Sequence, residues 1–407
     1  MPRQFSNVVV VGGGHAAGQL AASLRQLGFA EGVLIVGDEE HPLYQRPPLS
    51  KQYLKDECGL DRVYLRQQQF YASKDIHCIS GKRVVEVDAN TRFVVLDDGT
   101  EIGWDTLVFA TGSSNRALDI PGTDIPGVHS LRSIADCDGL KAQFAQGGQT
   151  LIVGGGYIGL EVASSCRSLD IEATVIELLD RVLARVAIPE ISDYFQDLHE
   201  SNGVNIATSS IVRSIERDSN KIALSLTLAN GQKLQAETVL IGVGIVPNVE
   251  VAQESGLSCS DGILVDEYCR TDHDRIFAIG DCTSQKSQLL GRRIRLESVP
   301  NAMEQARCAA ATIAGTPTPN HSIPWFWSDQ YDVKFQMAGF PTEGEAMVVR
   351  GEFGGKTFMN FHLANGQLVG ASAVNSPGEF LVARRLIGKT LDSKKLSDPD
   401  TELKSLV

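Results

Sequence analysis

Two glycine turns that copy one another restrict the fold of this chain more than any other feature. Val8–Val11 runs into Gly12-Gly13-Gly14-His15-Ala16-Ala17, and roughly 140 residues later Leu151–Val153 runs into Gly154-Gly155-Gly156-Tyr157-Ile158-Gly159. Each reads as a buried strand, a tight turn and a helix start, the arrangement in which a helix N-terminus meets a pyrophosphate. One such turn can be purely structural. Two, each followed by the same succession of elements, imply an α/β chain with a pair of Rossmann-like dinucleotide-binding domains.

In the first unit the spacing predicts a strand at Asn7–Gly12, a helix from Gly14 to about Leu27 and a strand at Val33–Val36. A carboxylate about twenty residues past the turn is where a ribose 2′-hydroxyl is held. Asp38 is the first choice for that role and Glu39 the alternative. Short strands follow at Lys82–Asp88, Arg92–Leu96 and Asp105–Ala110, then a helix near Ala135–Gln146. The second unit delivers Glu177 at its own strand end, and continues through Ile211–Arg217 and Ile222–Leu228 to Thr238–Gly242. The parallel between its closing LIGVG and the earlier FATG points to an internal duplication.

Other segments carry chemistry by position. In Tyr44-Gln45-Arg46-Pro47-Pro48-Leu49-Ser50-Lys51 two prolines fix an extended turn, and Ser50 is placed to cap a helix starting at Lys51. So stiff a segment can hold Arg46 and Lys51 beside an anionic cofactor. Ile276–Ile279 brings Asp281 to the C-terminal end of an apolar strand, where open α/β sheets bind ligands. Glu297-Ser298-Val299-Pro300 opens a helix through Met303, Arg307 and Ala311, whose positive end would stabilise negative charge. From Thr316 the pattern changes. Pro317, Pro319 and Pro324 read as a linker to a C-terminal α+β domain with strands at Val333–Gly339, Ala346–Gly351, Thr357–Leu363 and Leu368–Val374. Asn365-Gly366 marks a hairpin, Glu379–Leu386 a helix, and the tail after Leu391 is polar.

Composition excludes several classes. A formal charge of −13 argues against nucleic-acid binding and against attraction to anionic membranes. No apolar run approaches the ~18 residues of a membrane helix, and no basic region or cleavage site precedes the first strand, so a cytoplasmic protein is expected. The eight cysteines show no C-x-x-C and no tight cluster, and the histidines no zinc spacing, so neither a disulfide framework nor a metal site is expected.

The succession GGGHAA, RPPLSK, ATG, GGGYIGLE, GVGIVPN, FAIGDC, ESVPNAMEQA and PWFWSDQ resembles the FAD-dependent, NADH-using ferredoxin reductases of bacterial oxygenase systems. That group includes putidaredoxin reductase and the biphenyl-type dioxygenase reductases. The likeness spans essentially the whole chain. It implies a glutathione-reductase-like pair of Rossmann domains: an FAD domain from 1–112 and 243–316, an NAD domain at 113–242, and a C-terminal α+β interface domain at 317–407. FAD would contact Gly12, Gly14, Ala16, Asp38, Lys51, Val84, Arg132, Asp281 and Val299, and NADH would contact Gly154, Gly156, Gly159 and Glu177. Lys51 and Glu161 would pair beside the flavin, with Trp327 near its edge where an iron–sulfur partner docks. Ala17 stands where a strict pattern has a third glycine, an accepted variant.

The resemblance further implies electrons leaving singly to a [2Fe–2S] ferredoxin. Related disulfide reductases carry a cysteine pair after the RPPLSK segment, where this chain has Lys51 and Gln52 and only Cys58 nearby. An external acceptor is therefore expected. Rubredoxin, a quinone or dioxygen are alternative acceptors, and a redox-switched binding flavoprotein is an alternative role. Ferredoxins of this kind are acidic, so docking would need a local basic patch. Its candidates are Arg66, Arg292, Arg293, Arg295, Arg307 and Lys334 around Trp327.

Overall fold

The computed structural model describes residues 4–217 and 223–407. The chain divides into two compact units, Met1–Gln45 with Leu60–Ser114 and Val246–Pro324, and Arg46–Gly59 with Asn115–Ile245 and Trp325–Val407.

The first unit is built on Gln4–Val11, whose valine run is buried on both faces, as strands of a covered parallel sheet are. It pairs in parallel with Val33–Val36 on one side and with Glu101–Phe109 on the other. Ile76–Ile79 extends the sheet beyond Val33–Val36. The outer edge of Glu101–Phe109 is divided. Its first half pairs antiparallel with Phe93–Leu96, which leads to Val84–Asp88, and its second half pairs in parallel with Ile276–Ala278. The helix His15–Gln26 buries Ala16, Ala17, Leu20 and Ala21 in one core with Ala302, Ala306, Ala309 and Ala310 of the helix Val299–Ile313. So many small side chains let two helices approach closely.

The second unit repeats the plan. Its parallel sheet runs Asn205–Ala207, Glu172–Ile176, Gln149–Val153, Thr238–Ile241, Val128–His129. Val212–Arg217, Leu224–Leu228 and Lys233–Ala236 make a separate antiparallel meander. The expected strand start at Ile222 lies outside the described residues. A second antiparallel sheet has the order Trp325–Gln330, Val333–Gly339, Gln367–Val374, Phe358–Ala364, Ala346–Gly351, with the helix Pro377–Leu386 packed on it.

One expectation changes, and two segments gain a structure that the pattern leaves unassigned. Ser50 caps no helix: Pro47–Ser50 is itself a 3-10 turn, followed by further turns, and the Ser50 hydroxyl is drawn to Glu161. Trp325–Gln330, to which the sequence pattern assigns no element, is an edge strand, and its three successive aromatic residues suit a pleated, half-buried surface. The polar tail is tied down. Arg350 donates to the carbonyls of Leu396, Asp398, Pro399 and Thr401, and pairs with Glu379 at 2.8 Å. No helix among the described residues is long and apolar enough to cross a membrane.

Candidate active site

The two turns superimpose in their chemistry. Gly12 donates its N–H to Val36 O at 2.7 Å and Gly154 donates to Ile176 O at 2.8 Å. Both have φ near +115°, at +115° and +113°. A Cβ on Gly12 would lie 2.2 Å from Ala110 O, and one on Gly154 would lie 2.4 Å from Gly242 O. Only glycine fits either place. At Gly14 and Gly156 the reverse holds, for an added Cβ would meet nothing within 4 Å. Each of these residues precedes a helix whose start carries no side-chain cap. Uncapped N–H groups facing open space suit a pyrophosphate, so the turns fit the groups the sequence implies.

The strand ends differ. Glu177 Oε2 accepts from Gly155 N at 2.6 Å and its Oε1 from Leu179 N at 2.8 Å, which holds the carboxylate over its own glycine turn. Glu177 N donates to Ala207 O, and the equivalent bond in the first unit runs from Gly37 N to Ile79 O. The positional match of Glu177 is therefore Gly37. Asp38 lies one residue further on, half exposed, with Arg83 at 3.1 Å. Glu39 accepts the Tyr44 hydroxyl.

At the same end of the first sheet as the Gly12 turn, Asp281 accepts from the Ser113 hydroxyl at 3.0 Å. Gln305 fixes this corner. Its Oε1 accepts Gly280 N at 2.6 Å and its Nε2 donates to Thr283 Oγ1 and Gln285 Oε1. Val299 opens its helix behind a Ser298 cap, and Val84 is buried at the start of Val84–Asp88. Sequence reading missed Gln305, since a glutamine at a helix position carries no signal of what it reaches.

In the second unit Lys51 Nζ and Glu161 Oε2 form an ion pair at 2.5 Å, with the residues 9% and 4% exposed. The prolines set the approach, and Ser165 Oγ donating to Ser50 O and Cys137 Sγ donating to Leu49 O pin the turn. Arg46 donates to Arg132 O at 2.6 Å. Glu161 is also the terminus of an unbroken chain of donors. Ser328 Oγ donates to Glu161 Oε1 at 2.7 Å, Gln330 Nε2 to Ser328 Oγ at 3.0 Å, and His199 Nε2 contacts Gln330 Oε1 at 2.7 Å. Tyr331 OH contacts His199 Nδ1 at 3.0 Å. Burial pushes the His199 imidazole down to about 4, so the ring is neutral. A neutral ring facing an amide oxygen and a phenol carries its proton on Nε2 and accepts at Nδ1. Every donor then points toward Glu161. An amide cannot hand a proton on, so the chain orients the carboxylate rather than conducting protons to it.

Trp327 lies 5.7 Å from Trp325, which packs against Phe380 and carries Arg384 at 4.6 Å over its ring. Several expected docking cations are committed within the chain. Arg295 pairs with Asp261 and Glu297, and Arg293 donates to Val265 O and Ser284 O. Arg307 is half exposed and pairs with Glu304, Arg66 sits over Phe70 at 4.8 Å, Lys334 is exposed 3.7 Å from Asp329, and Arg292 is exposed. Among the described residues no cluster of His, Cys, Asp and Glu could hold a metal. The eight cysteines are in no disulfide; Cys269 Sγ lies 3.5 Å from Gln305 O and Cys308 Sγ 3.3 Å from Glu267 O, so each sulfur faces the element that carries the other.

Residues 6–306 match the pyridine nucleotide-disulphide oxidoreductase family, and residues 325–407 match the reductase C-terminal domain. The chain is 39% identical to rhodocoxin reductase of Rhodococcus erythropolis over 400 residues, covering 98% of this chain and 93% of that protein. It is 34% identical to putidaredoxin reductase of Pseudomonas putida, covering 98% and 96%. Among solved structures, the ferredoxin reductase for the CYP199A2 system of Rhodopseudomonas palustris matches with a TM-score of 0.94 at 36% identity, covering 98% of this chain and 99% of that one. The reductase in the covalent putidaredoxin reductase–putidaredoxin complex matches with a TM-score of 0.94 at 34% identity, covering 98% of each. Paired glycine turns and likeness along the whole chain lead to one conclusion: the protein belongs to the pyridine nucleotide-disulphide oxidoreductase family, in its ferredoxin-reductase branch.

Proposed function

We infer that this protein moves reducing equivalents from NADH through FAD to a [2Fe–2S] ferredoxin that serves an oxygenase, in the cytoplasm. The observation that carries the reading is the pair of equivalent glycine turns, one with Glu177 folded over it. When bound, FAD supplies an acceptor for a hydride and releases electrons singly. The chain's own residues bind and orient. In this reading 1–112 with 243–316 form the FAD domain, 113–242 the NAD domain and 317–407 the ferredoxin-facing domain.

Gly14 and Ala16 would face the FAD pyrophosphate across the turn that Gly12 shapes, with Asp38, Val84, Arg132, Asp281 and Val299 along the rest of the molecule. Gly156 and Gly159 would do the same for NADH at the turn that Gly154 shapes. Glu177 accepts from the adenosine ribose and repels a 2′-phosphate, so NADH is preferred. Lys51 places a fixed positive charge beside the flavin, and Glu161, oriented by Ser328, holds that charge in place. Trp327 with Arg66, Arg307 and Lys334 are the docking candidates for ferredoxin.

The experiment is an anaerobic titration followed by acceptor assays. Purified protein loaded with FAD should be yellow, bleach with NADH and turn over with [2Fe–2S] ferredoxins faster than with a quinone or dioxygen. Bleaching without any preference for ferredoxin would leave a flavoprotein with another acceptor. Failure to hold flavin would remove the reading altogether.

A further inference from the structure

Gln305 lies fully buried on the helix Val299–Ile313, with Ala302 and Ala309 of the first unit's core one turn to either side. A side chain kept there for packing alone would be apolar. Instead its carboxamide is used to capacity. A main-chain N–H can only donate, so the atom facing Gly280 N at 2.6 Å is Oε1, which fixes the orientation of the amide. The second lone pair of Oε1 takes Asn301 Nδ2 at 3.4 Å. Of the two Nε2 hydrogens, one goes to Gln285 Oε1 at 3.0 Å and the other to Thr283 Oγ1 at 2.9 Å. Thr283 gives its own hydrogen to Gly280 O at 2.8 Å, so it accepts from Gln305. Both peptide groups of Gly280 are thereby held, the N–H directly and the carbonyl through Thr283. Gly280 itself sits at φ +83°, and a Cβ added to it would come within 3.3 Å of Ala16 Cβ and 3.8 Å of Ala302 Cβ. The corner is wedged between the helix that leaves the Gly12 turn and the helix that carries Gln305. Asp281 follows directly.

We propose that Gln305 is a positioning residue for FAD, which sets how tightly the cofactor is held by fixing the Gly280–Asp281 main chain that aims the Asp281 carboxylate. The proposal rests on the reading of Asp281 as an FAD contact. Gln305 is 0% exposed and offers no surface to a ligand, so its effect on FAD must pass through its neighbours. A glycine turns freely, and a Gly280 N–H released into an apolar core would seek another partner. Ordering that peptide beforehand removes part of the entropy that FAD binding would otherwise lose.

The test is a double-mutant cycle read as the FAD dissociation constant of the full chain, with urea unfolding of the same proteins as a second readout. Gln305→Leu should weaken FAD by about tenfold. Asp281→Asn should weaken it too, and in that background Gln305→Leu should add less than about threefold, since its route is already broken. The cost of Gln305→Leu in urea should be the same in both backgrounds. Additive dissociation constants, or an Asp281→Asn protein that binds FAD as tightly as wild type, overturn the proposal and leave the flavoprotein reading standing. A wild-type chain that takes up no FAD removes both. Gln305→Glu covers the case in which the leucine protein does not fold. Its carboxylic acid has a hydrogen for Thr283 or Gln285 and its carboxylate has none, and burial favours the acid. Relative to wild type, FAD should be held about equally at about pH 5.5 and about tenfold more weakly at about pH 8.5, reversing on return to acid. The Cys269 thiol, 3.5 Å from Gln305 O, is present in both proteins and cancels in that ratio. A ratio that stays constant across the range overturns the proposal.

Discussion

The two nucleotide units solve the same problem with the same turn and then diverge around it. Gly12 opposes Ala110 O as Gly154 opposes Gly242 O, each at a φ that only glycine adopts freely. One turn later the units part. A Cβ on Gly159 would meet Gly154 O at 2.1 Å, whereas Ala17 already carries one, fully buried. The second helix therefore lies closer to its turn. The position that is Glu177 in one unit is Gly37 in the other, and a Cβ there would approach Gly13 Cα at 3.2 Å. The turn backbone common to both units is kept, while the residue at the following strand end differs.

The largest expected effects come from testing the shared part. Gly12→Ala and Gly154→Ala each force a side chain into a carbonyl and should cost more than about 4 kcal/mol locally. Gly12→Ala should abolish flavin retention. Gly154→Ala should spare it and abolish NADH-dependent bleaching. Flavin binding that survives Gly12→Ala would break the equivalence of the turns.

Next comes a feature of the second unit alone. Glu161→Gln leaves the buried Lys51 ammonium without its counter-charge, a loss of roughly 3 kcal/mol or more in urea unfolding. Lys51→Met should slow flavin reduction by NADH more than it weakens flavin binding. Ser328→Ala removes one acceptor contact on Glu161 and should produce a smaller version of the Glu161 effect, about 1 kcal/mol. A Ser328→Ala protein as impaired as Glu161→Gln would refute the view that Ser328 only orients.

Acid should also separate the units. Burial holds His199 and His362 at about 4, and both belong to the second unit. Unfolded, each would titrate near 6.5, so between pH 6.5 and 4 the unfolded chain binds protons that the folded one refuses. Stability conferred by the neutral rings is thus present above about 6.5, falls as pH drops through that window and levels off below 4. The loss is roughly 3 kcal/mol for each ring. His199→Gln should flatten that slope in unfolding measurements without moving the unfolding of the first unit.

The smallest effect probes the difference at the third turn position. Ala17→Gly should cost only about 1 kcal/mol, the ordinary price of helix glycine, whereas Gly159→Ala should behave like the turn glycines. Equal costs would mean that the helices pack alike after all. For the ligand-choosing position, Glu177→Ala should narrow the ratio of kcat/KM for NADH over NADPH by about tenfold, or 1.4 kcal/mol.

What was legible in the sequence is what a single residue must do by itself. Glycines at positive φ, a proline pair before Lys51 and an apolar run ending in Asp281 announce their geometry locally. What escaped depends on distant partners. Ser328 reaches Glu161 across 167 residues, and nothing near either one signals it. Ser50 looked like a helix cap because a hydroxyl before a polar run satisfies the same rule, and the Glu161 carboxylate outcompeted that use. The strand Ile76–Ile79 stayed hidden because His77 and Cys78 face outward and break the apolar run. Cys269 and Cys308 looked scattered because only the folded turn beside the helix sets each sulfur against the other's element.

The divided edge of Glu101–Phe109 has a consequence for the birth of the molecule. All five strands of the second unit's parallel sheet lie between Val128 and Ile241 and emerge from the ribosome in one stretch. The first unit, although begun earlier, must wait for Ile276–Ala278 to cover Leu107–Phe109, and then for the alanine face of Val299–Ile313 to cover that of His15–Gln26. At ~5–20 residues per second that interval is roughly ten to forty seconds. Throughout it the nascent N-terminal segment carries an open strand edge and an uncovered apolar helix, so the part of the chain made first is expected to be the part that a chaperone must guard longest.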